Sequence, residues 1–192
     1  MDLAITNHIK DVFTKATCIY TKQEIEAALD RMAQEITKRV GDSCPVFLCV
    51  LLGGIIPLGN LLPRLDFPLE IDYVHVGRYG RNTEGGEFAW KAKPRTNLKD
   101  RTVVIVDDIL DGGVTLANII AFCKEHGARE VFSAVLIDKK KPRVPGAIED
   151  VDFKGLIIED RFIFGYGLDY QEYLRNAPGI YAIADEHLVK DE

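Results

Sequence analysis

The run Val103-Val104-Ile105-Val106-Asp107-Asp108-Ile109-Leu110-Asp111-Gly112-Gly113-Val114-Thr115-Leu116 decides the fold. Its first four residues are β-branched and uninterrupted by any polar group. Such a run suits a strand buried on both faces, the habit of a parallel sheet. The strand, read as Thr102 to Val106, ends in two adjacent acids, and a third acid follows at Asp111. Two glycines come next, then a hydroxyl residue, then a helical stretch from Thr115 to Glu125 with Gly127 placed as its C-cap. In open α/β sheets, ligands sit beyond the carboxyl ends of the strands. Glycines let backbone N–H groups approach a phosphate, and a helix N-terminus adds favourable dipole charge. Thr115 can donate its hydroxyl to the same phosphate. Asp107 and Asp108 are acceptors that suit ribose hydroxyls or the waters of a magnesium ion.

Upstream, Thr21-Lys22-Gln23-Glu24 is a capping-box pattern, and Ile25, Leu29, Met32, Ile36 and Val40 then recur at helical spacing up to Gly41. The apolar run Pro45 to Leu52 predicts another buried strand ending at Gly53-Gly54, with a short helix from Ile55 to Leu62 behind it. Pro57 is tolerated in that helix's first turn. Leu69 to Val76 predicts a further strand. The polar segment Gly77 to Asp100 reads as a long functional loop. Val131 to Ile137 is the strand after the central helix. This alternation predicts an α/β fold, an open, mostly parallel twisted sheet flanked by helices. The texture changes after Lys139. We therefore expect a single domain over 1–192, with a core of 40–138 and a small hood lobe formed by 1–20 and 139–192.

The chain has 192 residues, 47% hydrophobic and 28% charged, a balance that suits one packed core. A net charge of −6 gives no general attraction for nucleic acid or an anionic membrane. A polyanionic substrate would have to be held locally, by backbone amides, a metal ion and a few placed cations. No apolar segment approaches a membrane span, and no basic, apolar leader opens the chain, so a cytoplasmic protein is expected. The four cysteines, Cys18, Cys44, Cys49 and Cys123, form no C-x-x-C unit and are expected to be reduced core thiols.

The fourteen-residue run resembles the phosphoribosyl pyrophosphate (PRPP) motif of type I phosphoribosyltransferases. A second stretch, Ile157-Ile158-Glu159-Asp160-Arg161-Phe162-Ile163-Phe164-Gly165-Tyr166-Gly167-Leu168-Asp169 and on to Asn176, resembles the C-terminal signature of hypoxanthine-guanine phosphoribosyltransferases. The resemblance covers about residues 40 to 183 and keeps the family's order and spacing.

The resemblance implies a purine salvage transferase. Its substrates would be PRPP and hypoxanthine or guanine, with xanthine a further candidate, its cofactor Mg2+, and its assembly a homodimer or homotetramer. Asp107 and Asp108 would hold the ribose hydroxyls. The turn Asp111, Gly112, Gly113, Val114 and Thr115 would cradle the 5′-phosphate. Asp111 would be the general acid/base near N7 of the purine. Relatives usually carry Thr or Ser at the Gly112 position and often a polar residue at Val114, so one side-chain phosphate contact is absent here. Leu52 and Gly53 match the pyrophosphate loop, which in relatives often contains a non-proline cis peptide and a basic side chain where Leu52 stands. Arg78 and Tyr79 match the Ser-Tyr pair of a closing loop, with Arg in place of Ser. Lys139 would donate to the purine O6, Phe162 would stack on the base, and the carbonyl of Ile163 would accept from it. Asp169 would serve a second magnesium, beside any metal waters on Asp107 and Asp108, and Arg175 would contact pyrophosphate.

Overall fold

In the computed structural model, residues 3–79 and 87–188 are described. Thirteen elements follow in chain order: α1 (Leu3–Lys15), β1 (Thr17–Tyr20), α2 (Lys22–Val40), β2 (Val46–Leu51), α3 (Ile55–Leu61), β3 (Glu70–Tyr79), β4 (Glu87–Ala92), β5 (Thr102–Leu110), α4 (Val114–Glu125), β6 (Glu130–Lys140), β7 (Phe153–Glu159), β8 (Ile163–Phe164) and β9 (Ile180–Ala182). Six strands form the main sheet in the order β4-β3-β2-β5-β6-β7. Every pairing in it is parallel except the β3–β4 edge.

The strand period of two explains the layers. Val104 and Val106 of β5 point into a core shared with Ile25, Leu29, Met32 and Ile36 of α2. Val103 and Ile105 point the other way, against Leu116, Ile119 and Cys123 of α4. Both faces are covered, so the apolar run has no polar alternation. α2 begins as its sequence predicts: Thr21 caps Glu24 N–H while the Glu24 carboxylate reaches back to the Thr21 amide. Such a cap is worth about 1 kcal/mol.

A second sheet of three antiparallel strands, β1-β9-β8, joins the two ends of the chain. It packs on α1 through Val12, Phe164, Tyr170, Ala177 and Ile183, a small core of its own.

Several expectations change. The main sheet does not stop at 138. β6 runs to Lys140, and β7 pairs parallel with it, so the sheet takes the chain to Glu159 and the hood strands start at Ile163. The segment expected as one long loop from Gly77 to Asp100 carries strand at its start and again at Glu87–Ala92. β3 extends to Tyr79, and β4 returns antiparallel beside it, with His75 opposite Ala92. Edge strands tolerate polar and charged residues, which masked the pattern. β5 continues past its acids to Leu110, because Ile109 and Leu110 still pair with β6. The cysteines are free, but only Cys49 and Cys123 lie in the core; Cys18 and Cys44 are exposed. Burial pushes both core thiols up to about 12. Among the described residues no helix is long and apolar enough to cross a membrane.

Candidate active site

The site lies at the carboxyl end of β5, in the middle of the main sheet. Asp107 and Asp108 are both buried there, 8% and 9% exposed. The Asp108 amide donates to Oδ1 of Asp107 at 2.9 Å. Burial holds the Asp107 carboxyl well above the usual carboxylate range, and the neighbouring Asp108 charge adds to the effect. Burial also raises Asp108, opposed by its hydrogen bond with Asp107 and by the positive charge of Arg175.

Asp108 explains Gly53. A Cβ built on Gly53 would fall 1.9 Å from Oδ2 of Asp108, so only glycine lets the end of β2 pass this carboxylate. The peptide between Leu51 and Leu52 is cis. The Leu52 side chain is about half exposed and brings no charge. On its far side the Gly53 carbonyl lies under Gly167, whose φ is 112° and whose added Cβ would come within 2.3 Å of that oxygen. The C-terminal signature thus docks on the β2 loop with Gly167 against the Gly53 backbone and Pro57. Arg175 secures the contact: Nη1 donates to the Gly167 carbonyl at 2.8 Å, and Nη2 lies 2.7 Å from Oδ1 of Asp169. Asp169 also accepts from the Glu172 amide at 2.9 Å.

After β5 the chain turns through Asp111, Gly112 and Gly113 into α4. Gly113 sits at φ 79° as the N-cap, and no side chain caps this helix. Residues Asp107 to Gly113, with Thr115 and Leu116, line a cavity of about 260 Å³. Nothing lies within 4 Å of a Cβ added at Gly112, which faces open space. A hydroxyl-bearing residue would fit there; the glycine is not demanded by its surroundings. Gly113 is demanded, by its positive φ and by the Ile148 carbonyl 2.9 Å from where a Cβ would stand.

The other side of the site is built from β6 and the hood. Lys139 is 7% exposed. Its Nζ stands 3.1 Å from Oδ1 of Asp160, 3.7 Å from Oδ1 of Asp111 and 5.8 Å from the centre of the Phe162 ring. Phe162 is 66% exposed, an uncovered aromatic face beside a buried ammonium. Alternation puts its neighbour Ile163 into the core. The Phe162 carbonyl accepts from the Ile183 amide at 3.0 Å, which fixes the strand to β9.

The three consecutive lysines go three ways. Lys139 enters the site, Lys140 points out to Glu159 at 3.2 Å, and Lys141 returns to Oδ1 of Asp111 at 2.5 Å. That oxygen is enclosed and takes no hydrogen bond of proper geometry, so both ammonium groups meet it as ion pairs.

The structure therefore gathers Leu52, Gly53, Asp107, Asp108, Asp111 to Thr115, Lys139, Phe162, Asp169 and Arg175 around the ends of β2, β5 and β6 and the adjoining hood. The side chains of Arg78 and Tyr79, and residues 80–86 of the expected closing loop, lie outside the described residues. Asp107, Asp108 and Asp169 do not converge on one point. Among the described residues the one group of three that could share an ion is Asp11, Glu186 and His187, far along the hood. Sequence reasoning missed Lys141, Asp160 and Gly167. Lys141 was hidden in a charge run, and Asp160 and Gly167 lay unremarked inside the quoted signature.

Paired acids near the end of a central parallel strand, followed by a glycine turn and a helix without a side-chain cap, define a fold suited to sugar phosphates at its strand ends. The chain belongs to the phosphoribosyl transferase domain family, which matches residues 15–171. It is 31% identical over 166 residues to the hypoxanthine-guanine-xanthine phosphoribosyltransferase of Tritrichomonas foetus, covering 84% of this chain and 88% of the relative. It is 32% identical over 183 residues to the hypoxanthine-guanine phosphoribosyltransferase of Streptococcus pneumoniae (strain ATCC BAA-255 / R6), covering 95% and 97%. Among solved structures, a hypoxanthine phosphoribosyltransferase from Staphylococcus aureus superposes with a TM-score of 0.85 at 28% identity, over 91% of this chain and 94% of that one.

Proposed function

We propose that the chain transfers the 5-phosphoribosyl group of PRPP to N9 of hypoxanthine or guanine, releasing pyrophosphate. One observation carries the choice of base: the buried Lys139 ammonium stands beside both Asp111 and the exposed Phe162 ring. A 6-oxopurine laid on Phe162 offers O6 to that ammonium. Adenine would bring an amino donor against it, leaving two donors face to face.

In this reading the amides of Gly113 to Thr115 take the 5′-phosphate, and Asp107 and Asp108 take the ribose hydroxyls. The bond from C1 of the ribose to pyrophosphate breaks as N9 bonds to C1, and the purine proton passes to Asp111. The sugar carries positive charge in the transition state. Asp107 and Asp108, once ionised beside a bound cation, would favour that charge. Arg175 offsets charge growing on the leaving group. Acceleration comes chiefly from positioning, since pyrophosphate is already an activated leaving group.

A magnesium ion fits the donor set, since two buried acids raised by burial gain from an adjacent cation. Mg2+ keeps several waters and takes one or two carboxylates together with substrate phosphates, so acids that do not form one cage suit it. Asp107 and Asp108, with Asp169 for a second ion, are the residues that would hold it. Bound there, the metal would neutralise pyrophosphate charge. We place the enzyme in the cytoplasm, as a homodimer or homotetramer.

The test is a panel of hypoxanthine, guanine, xanthine, adenine and uracil with PRPP and Mg2+. Pyrophosphate release with hypoxanthine or guanine, lost on chelation and regained with Mg2+, is expected. Release with adenine or uracil alone, or with no base, overturns the assignment.

A further inference from the structure

We propose that Arg143 is a positioning residue for this reaction, holding Asp111 and Lys139 at a fixed separation; the proposal rests on the roles given to those two residues above. The parallel ladder between β5 and β6 has its last paired residues at Leu110 and Asp138. Beyond that point no further residues of the two strands pair with each other, yet the acid/base and the O6 donor lie there, one after each strand's last residue in this ladder. Arg143 closes the gap. Its Nη1 donates to the carbonyl of Asp111 at 2.7 Å, of Lys139 at 2.8 Å and of Leu110 at 3.3 Å. Its Nη2 is bound to Oδ1 of Asp138, whose other oxygen lies 3.4 Å from Lys154 Nζ.

The Arg143 side chain is 8% exposed and that of Asp138 12%. A buried ion pair is a poor device for stability alone, because both ions lose their hydration. This one spends its donors on three backbone carbonyls around the site. A planar guanidinium can grip a carboxylate with one nitrogen and span carbonyls with the other; an ammonium cannot reproduce that fork. Gly113, where the phosphate amides begin, rests on Ala147 and Ile148, while the Arg143 hydrogen bonds go to Leu110, Asp111, Asp138 and Lys139. Loosening Arg143 therefore disturbs the proton-handling and base-reading groups and leaves the phosphate grip in place. Reacting groups need positioning within about half an ångström, and a displacement of about 1 Å costs on the order of 100-fold in rate.

The experiment compares wild type, Arg143→Ala and Arg143→Lys by steady-state kinetics with hypoxanthine and PRPP, and by hydrogen exchange without substrates. We expect kcat to fall about 10- to 100-fold in both variants, with the KM for PRPP within about threefold of wild type. A few millimolar guanidinium restores part of the kcat of Arg143→Ala, and methylammonium does not. Exchange quickens at residues 109–111 and 138–141 and stays unchanged at 103–106. A wild-type kcat in Arg143→Lys, a loss confined to the KM for PRPP, or unchanged exchange at 109–111 overturns the proposal. If wild type itself transfers nothing, the transferase reading falls, while the exchange comparison still decides whether Arg143 braces the turn.

Discussion

The turn from Asp107 to Thr115 is one unbroken stretch of chain set on an inner strand of the main sheet. The groups around Lys139 are assembled from the end of β6, the Asp160–Phe162 strand entry and the signature that runs to Arg175. In the first region, geometry follows from neighbours in sequence: strand parity sets the two acids, and a glycine at positive φ starts α4. In the second, geometry follows from docking. Gly167 must lie on Gly53, and Phe162 must be held to Ile183, before Lys139 has an aromatic neighbour. A turn built from neighbours in sequence is set once its strand is in place, whereas groups brought together by docking depend on contacts far along the chain.

This contrast can be broken at each region. Asp111→Asn, in the contiguous turn, has the largest expected effect. It removes the proton acceptor and lowers kcat by about 100- to 10,000-fold, with the melting temperature within a few degrees of wild type. Near-normal turnover would move the acid/base role elsewhere. Lys139→Ala, in the assembled region, is expected to act on choice more than on rate. The preference for hypoxanthine over adenine, read as a ratio of kcat/KM values, falls by at least about tenfold, the worth of one lost charged hydrogen bond. An unchanged ratio would remove the specificity argument and leave Lys139 as a partner of Asp160.

The smallest effect is on stability. The folded chain holds the Asp107 proton more tightly than the unfolded chain does, so the native state binds more protons between the ordinary carboxylate value and the raised one. Stability therefore falls as pH rises through that window and is unpenalised below it. Asp107→Asn should melt about 2–4 °C higher than wild type near neutral pH and lose that advantage in acid. Melting curves across pH check this; a variant less stable at neutral pH would show that the charge is satisfied by groups around it.

The main elements were legible because their signals are local. The four β-branched residues before Asp107 require cover on both faces, and α2 and α4 provide it. The capping box at Thr21 formed as its spacing requires. The hood was placed only roughly. Its strands are as short as Ile163–Phe164 and carry no period of their own, and β7 looks no different in sequence from them although it joins the main sheet. Most of β3 follows the strand expected from Leu69 to Val76, while its last residues and β4 fall in the stretch expected as loop, because an exposed edge lacks an apolar pattern.

By itself, the sequence settled the strand, acids and glycine turn that lead into α4, since an unbroken apolar run, adjacent acids and a glycine at positive φ are short-range features of the chain. Only the tertiary structure decided which of three adjacent lysines enters the site, why Gly53 must lack a side chain, and that Arg143 ties Asp111 to Lys139. Each of these depends on atoms from distant segments meeting within a few ångströms, and no spacing along a chain records that.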